Sequence, residues 1–289
     1  MKRKVLRECD VPCLFAFYHD IGWRTEAGEE LNDRYQELLG NFTEDASGFR
    51  EMMRRTNCII SGSVALWFLM GSPKEWTPND MDILVPQDTF LDVVQFLEGL
   101  DGAGPHDFVI PPDWPYPVEA YTARATIHTP RGRFDVLQSA RESPLFPIPF
   151  YWSTHLMNAL TSDALYCAYP ALTLIRQGVY PGHEGQHIGG MAVEKHLARG
   201  FAVHYDRTEV GDGSAGCLGF VVCSRKQRFF GDDRTFVVPL GKGTVGDSVL
   251  WLGRVGTAAW RLGGKGCGNA RCLQPTSFAA GILNFEDVE

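Results

Sequence analysis

The chain has 289 residues, 44% hydrophobic and 21% charged, enough length and apolar content for a well-buried core in one large or two modest domains. Its formal net charge of −8 argues against sequence-independent binding to a polyanion, which needs clustered Lys and Arg, so long DNA or RNA is not an expected partner. No stretch approaches the ~20 uninterrupted apolar residues of a membrane span, and no signal-type apolar run follows the basic start, so a soluble, cytoplasmic protein without membrane partners is expected.

In chain order, Glu26 to Leu39 and Glu44 to Arg55 have helical periodicity, with Leu31, Tyr35 and Leu38, then Phe49, Met52 and Met53, as inner faces. Residues 1–56 therefore read as an N-terminal helical segment. Cys58-Ile59-Ile60 is a short apolar lead-in, broken by Ser61-Gly62-Ser63 before a helical run from Val64 to Met70. Glycine there lets the backbone approach an anion closely, and the helix start would aim free N–H groups and the Ser63 hydroxyl at it. The loop-like stretch Gly71 to Pro78 precedes a strand, Asp80 to Val85. Strand side chains alternate faces, so Asp80 and Asp82 point the same way, roughly 6.5–7 Å apart, while Met81, Ile83 and Val85 face a core. Two like charges held together call for a counter-cation, and oxygen-only ligands suit Mg²⁺ or Mn²⁺ better than Zn²⁺.

Asp88 is the expected N-cap of a helix to Glu98, with Phe90, Val93, Val94 and Leu97 inward and Gly99 as its stop. Residues 101–118, rich in Gly, Asp and Pro, read as an exposed loop able to shape acceptor specificity. Thr122 to His128 and Arg133 to Gln138 form a hairpin around Thr129-Pro130-Arg131-Gly132. It places Asp135 on the face of Arg133 and Leu137, opposite Phe134 and Val136; Arg131, Arg133 and Arg141 leave room for a local basic groove.

Beyond residue 140, Pro170 to Gly178 reads as a helix with a glycine stop, from which Arg176 could reach a phosphate. The glycine-rich stretch after Gly211 carries strand-like runs at Cys217–Cys223, Arg228–Leu240 and Ser248–Val255, predicting a β-rich C-terminal region. The eight dispersed cysteines are expected as reduced thiols; Cys217/Cys223 with Cys267/Cys272 are spaced too loosely to favour a structural zinc. His183-Glu184-Gly185-Gln186-His187 fits the H-E-x-x-H pattern, yet Gly182, Gly185, Gly189 and Gly190 oppose the rigid helix it needs, and Val193 stands where the extended pattern wants a third histidine. The Gly-x-Gly-x-x-Gly matches at Gly211/Gly213/Gly216 and Gly241/Gly243/Gly246 lack a dinucleotide-binding context and read as turns.

The Gly62-Ser63 turn, the Asp80-x-Asp82 pair and Asp135 on a later strand together resemble the DNA-polymerase-beta-like nucleotidyltransferase superfamily, over residues 57–140. Sixteen residues separate Ser63 from Asp80, more than that family usually has. The resemblance implies an α/β (α+β) fold: a mixed-sheet catalytic core at 57–140 flanked by helices, with 141–289 as a helical then β-rich C-terminal region. It implies an enzyme in which Gly62 and Ser63 hold the β- and γ-phosphates of a nucleoside triphosphate. Asp80 and Asp82 would share two Mg²⁺ or Mn²⁺ ions, Asp135 would complete the catalytic one and orient or deprotonate the attacking hydroxyl, and Arg176 would be a basic partner from a later helix. The expected reaction moves a nucleoside monophosphate, AMP from ATP in first place, to a hydroxyl or phosphate of a small-molecule or protein acceptor, releasing pyrophosphate. The alternatives are an inactive nucleotide-binding or protein-interaction module on the same scaffold and, as a minor one, a zinc metalloprotease using His183, Glu184 and His187.

Overall fold

The computed structural model describes residues 2–20, 22–110, 117–181, 190–205, 210, 222–223, 226–241, 244–263 and 277–283. The apolar periodicity of the N-terminal segment becomes four helices, α1 (Lys2–Arg7), α2 (Val11–His19), α3 (Arg24–Gly40) and α4 (Ala46–Thr56). Asp10 and Asp45 cap α2 and α4 by accepting from the backbone N–H groups of Cys13 and Gly48, satisfying helix-start donors that would otherwise need water. All six inner-face residues expected of α3 and α4 are buried.

The chain continues through β1 (Ile59–Ser61), α5 (Gly62–Leu69), β2 (Asp80–Val85), α6 (Phe90–Glu98), β3 (Asp107–Val109), β4 (Tyr121–Thr129) and β5 (Gly132–Ser139). It then forms β6 (Asn158–Leu160), β7 (Ala164–Cys167), α7 (Pro170–Thr173), β8 (Gln177–Val179), α8 (Gly190–Ala198), β9 (Ala202–His204), β10 (Arg228–Phe229), β11 (Phe236–Pro239), α9 (Val245–Val255), β12 (Thr257–Leu262) and β13 (Phe278–Leu283). The fold is mixed α/β. Its main sheet has the order β11-β7-β6-β1-β2-β5-β4-β3, with β2 and β5 parallel and the other neighbours antiparallel. Three strands from beyond residue 140, β6, β7 and β11, extend this sheet on the β1 side.

Alternation along the strands divides the interior between the two faces. Ile60, Met81, Ile83, Val85, Phe134 and Val136 pack with the apolar sides of α2, α3, α4 and α6. Ile59, Leu84 and Leu137 point the other way and share a second core with Tyr166, Phe230, Leu252 and Trp260, where a small sheet ordered β10-β12-β13 covers them.

Several sequence expectations are corrected. The strand expected at Ser248–Val255 is helix α9, because Thr244 and Asp247 form a reciprocal capping box that fixes a helix start before the apolar run. The helix expected over Pro170 to Gly178 stops at Thr173, and the chain re-extends as β8 through Arg176, which has φ +57°. Helix α6 has Thr89, not Asp88, at its N-cap position, without a side-chain capping bond, and Asp88 lies in a preceding 3₁₀ turn. The loop expected over 101–118 includes β3, hydrogen-bonded to β4. Cys9, Cys13, Cys58, Cys167 and Cys223 are free thiols. Among the described residues no helix is long and apolar enough to cross a membrane.

Candidate functional site

At the acidic end of the second face, β1, β2, β4 and β5 each contribute polar side chains before their apolar halves begin. The parallel register sets Asp80 opposite Arg133 and Asp82 opposite Asp135, while the antiparallel registers set Ser61 opposite Asp82 and Thr126 opposite Asp135. One step further along β2 and β5 come Leu84 and Leu137, where the second core begins. The site is thus the polar mouth of a hydrophobic layer.

Gly62 bends the chain from β1 into α5 with φ +60°. Any Cβ at this position would overlap the Oδ2 of Asp82, so glycine is required both for the left-handed backbone and for the carboxylate beside it. The Ser61 hydroxyl donates to the Asn158 carbonyl at 2.6 Å and ties β1 to β6. Ser63 is buried on the first turn of α5, and among the described residues its hydroxyl has no hydrogen-bond partner.

The three carboxylates differ in their company. Asp135, 3% exposed, accepts at Oδ1 from Arg124 Nη2 at 2.7 Å and from the Thr126 hydroxyl at 2.9 Å, and meets Arg133 Nη2 at Oδ2 across 3.0 Å. Asp80 accepts from the same Arg133 nitrogen at 2.7 Å. Asp82 receives no hydrogen bond from a described residue, and burial, reinforced by the charges of Asp80 and Asp135, pushes its carboxyl up to about 7. Lys195 and Arg133 oppose that rise.

A hard divalent cation suits this donor set, three carboxylates of which one, Asp82, receives no hydrogen bond from a described residue. Among the described residues, however, no group of three or more His, Cys, Asp or Glu side chains is drawn together tightly enough to hold a metal ion as it stands. In this site a guanidinium lies where Asp80 and Asp135 would otherwise converge.

Two basic residues unmarked in the sequence reading face the acidic end from α8. Lys195 is exposed and acts electrostatically on Asp82, and Arg199, just past the helix end, acts on Asp80. Burial lowers the Arg199 pKa; the guanidinium lies 3.9 Å from the ring centroid of Trp76, and its Nη1 is buried without a hydrogen-bond partner among the described residues. Trp76 comes from the stretch that lengthens the Ser63–Asp80 interval. That stretch folds back on α5, where the Trp67 indole donates to the carbonyls of Pro73 and Trp76, and Trp76 packs with Leu66, Leu156 and Phe201. The extra length is therefore a wall of the site. The four-residue spacing of Lys195 and Arg199 was the available signal, since it sets both on one helical side.

Arg176 does not join this group. Its guanidinium donates to the Arg199 carbonyl and lies over the Phe201 ring, so it supports the segment that carries Arg199. His183, Glu184 and His187, and Cys217, Cys267 and Cys272, lie outside the described residues. Neither protein-family models nor curated proteins match the chain, which leaves the chemistry to be read from the side chains themselves.

Proposed function

We propose that the protein is a nucleotidyltransferase with a nucleotidyltransferase-like core, moving a nucleoside monophosphate from a nucleoside triphosphate, ATP first, to a hydroxyl or phosphate acceptor. The observation that carries this reading is the parallel pairing of Asp82 with Asp135 beside a left-handed Gly62 and a Ser63 hydroxyl that has no hydrogen-bond partner among the described residues. Asp80, Asp82 and Asp135 are the residues that would hold Mg²⁺ or Mn²⁺. When bound, such ions neutralise phosphate charge and activate the attacking oxygen.

The chain's own part is positioning and electrostatics. The α5 start and the Ser63 hydroxyl supply donors for the β- and γ-phosphates, and Lys195 and Arg199 add positive charge from the opposite wall. Asp135 orients the acceptor hydroxyl and takes its proton as the new bond to the α-phosphorus forms. The bond from that phosphorus to the β-phosphate oxygen breaks, and pyrophosphate leaves.

A second reading, a nucleotide-binding module without turnover, is favoured by one observation: both oxygens of Asp135 already accept from arginine or threonine. Incubation with Mg²⁺, each labelled triphosphate and a panel of small acceptors separates the two. Pyrophosphate release that disappears in Asp82→Asn supports transfer. Stable nucleotide binding without release, equal in both proteins, supports the binding module.

A further inference from the structure

Arg133 uses a single nitrogen, Nη2, to contact two carboxylates, Asp80 Oδ2 at 2.7 Å and Asp135 Oδ2 at 3.0 Å. Its Nε is buried and has no hydrogen-bond partner among the described residues, and its side chain is 39% exposed. Arg124, by contrast, is 23% exposed and directs both Nε and Nη2 at one oxygen of Asp135, at 3.3 and 2.7 Å. The two arginines therefore hold the carboxylates unequally: Arg124 as a fixed brace, Arg133 as a shared, incompletely bonded bridge with an open path to solvent. Neither guanidinium hydrogen-bonds the third carboxylate, Asp82, on which Lys195 and Arg133 act electrostatically.

We propose that Arg133 is a displaceable internal counter-cation, which holds Asp80 and Asp135 apart from a divalent ion and swings off them when that ion is bound. This rests on the reading of the site as metal-dependent. The bridge keeps the acidic residues paired while the site is empty, and it sets a threshold for metal entry, because a cation must replace two charge-assisted hydrogen bonds before it gains its own ligands. Arg133 is thus a positioning residue whose removal should make metal binding tighter, the reverse of what loss of a substrate-binding arginine would do to activity.

The test is titration of Mn²⁺ alone, followed calorimetrically, into the wild type and the variants R133M, R133Q and R131M. Arg131 lies two residues away and pairs with Glu44, so R131M removes the same charge without touching the bridge. At least about tenfold tighter Mn²⁺ binding is expected for R133M and R133Q, with R131M near the wild type. Equal affinity in R133M and R131M overturns the displacement while leaving the metal site intact. Failure of all four proteins to bind Mn²⁺ overturns the displacement together with the metal-dependent reading. In the wild type, the ¹⁵N resonance of Arg133 Nε, assigned by its loss in R133M, should shift on addition of diamagnetic Mg²⁺; an unmoved resonance in Mg²⁺-saturated protein overturns the proposal without depending on any variant's stability.

Discussion

Asp82 on β2 and Asp135 on β5 are Cα partners in a parallel pair, so their carboxylates leave the same face of the sheet side by side, Asp135 bonded at both oxygens and Asp82 bare of hydrogen bonds from the described residues. The bare one is the destabilising one. A carboxyl raised from 3.8 to about 7 binds a proton in the folded state that the unfolded chain releases, so its contribution to stability falls as pH rises from about 4 to about 7. Asp82→Asn removes that loss. In metal-free protein at pH 8, urea unfolding should show the variant more stable by on the order of 2 kcal/mol, with no difference at pH 4. Saturating Mg²⁺ should narrow the gap by stabilising only the wild type.

Gly62 and Ser63 separate strain from chemistry. Gly62→Ala forces an L-residue to φ +60° and drives its Cβ into the Asp82 carboxylate, so a loss of about 1–3 kcal/mol in unfolding free energy is expected. Ser63→Ala removes a hydroxyl that bonds to no described residue, so its melting temperature should stay within about 1 °C of the wild type. Its triphosphate KM should nevertheless rise, which a purely structural serine would not produce.

Local pattern accounts for much of this site. The hairpin turn pairs Thr129 with Gly132, and counting back from it sets Thr126 opposite Asp135. The two-residue period places Asp80 and Asp82 on one face of their strand and Asp135 on the face of Arg133 and Leu137 in its own, and the parallel β2–β5 pairing brings those faces together. Long-range features had no such local signal. The sheet's extension by β6, β7 and β11 depends on pairings among distant segments, and Arg199 comes to the site against Trp76, which folds back on α5 from far away in sequence. Helix α9 has a strand-like sequence for a different reason: Val249, Leu250, Trp251 and Leu252 suit either element, and the Thr244 cap that decides between them precedes the run.

The Arg199–Trp76 contact yields a prediction of opposite sign for stability and binding. Burial works against the Arg199 charge and leaves Nη1 without a hydrogen bond among the described residues, while the aromatic contact and the aliphatic stem contribute packing. Arg199→Met keeps most of the packing and removes the buried charge. Its unfolding free energy should fall by less than about 1 kcal/mol or rise. Its dissociation constant for a nonhydrolysable triphosphate should increase about tenfold, the scale of one charge-assisted contact.

Acid should loosen the segment that carries these basic residues. His155 and His196 are buried beneath Trp152 and Phe201, with Nε2 of the first 3.0 Å from Nδ1 of the second and the Ser153 hydroxyl 2.7 Å from His155 Nδ1. Neutral rings satisfy both bonds, whereas two protonated rings would set N–H against N–H. Burial lowers both pKa values, His196 to about 3; the charges of His196 and then Arg199 add to this for His155, and those of Arg199 and then Lys195 for His196. The unfolded chain therefore takes up protons that the folded state refuses, and stability falls as pH drops below about 6.5 until the folded pKa values are reached. The slope is about 1.4 kcal/mol per pH unit for each histidine. Asp82 acts in the opposite sense over part of this range, so urea midpoints should be compared between Asp82→Asn alone and Asp82→Asn with His196→Asn, which keeps a polar atom near the Nδ1 position. Between pH 6 and pH 4.5 the double variant should show about half the slope of the single one. Equal slopes would assign the acid lability to groups elsewhere in the fold.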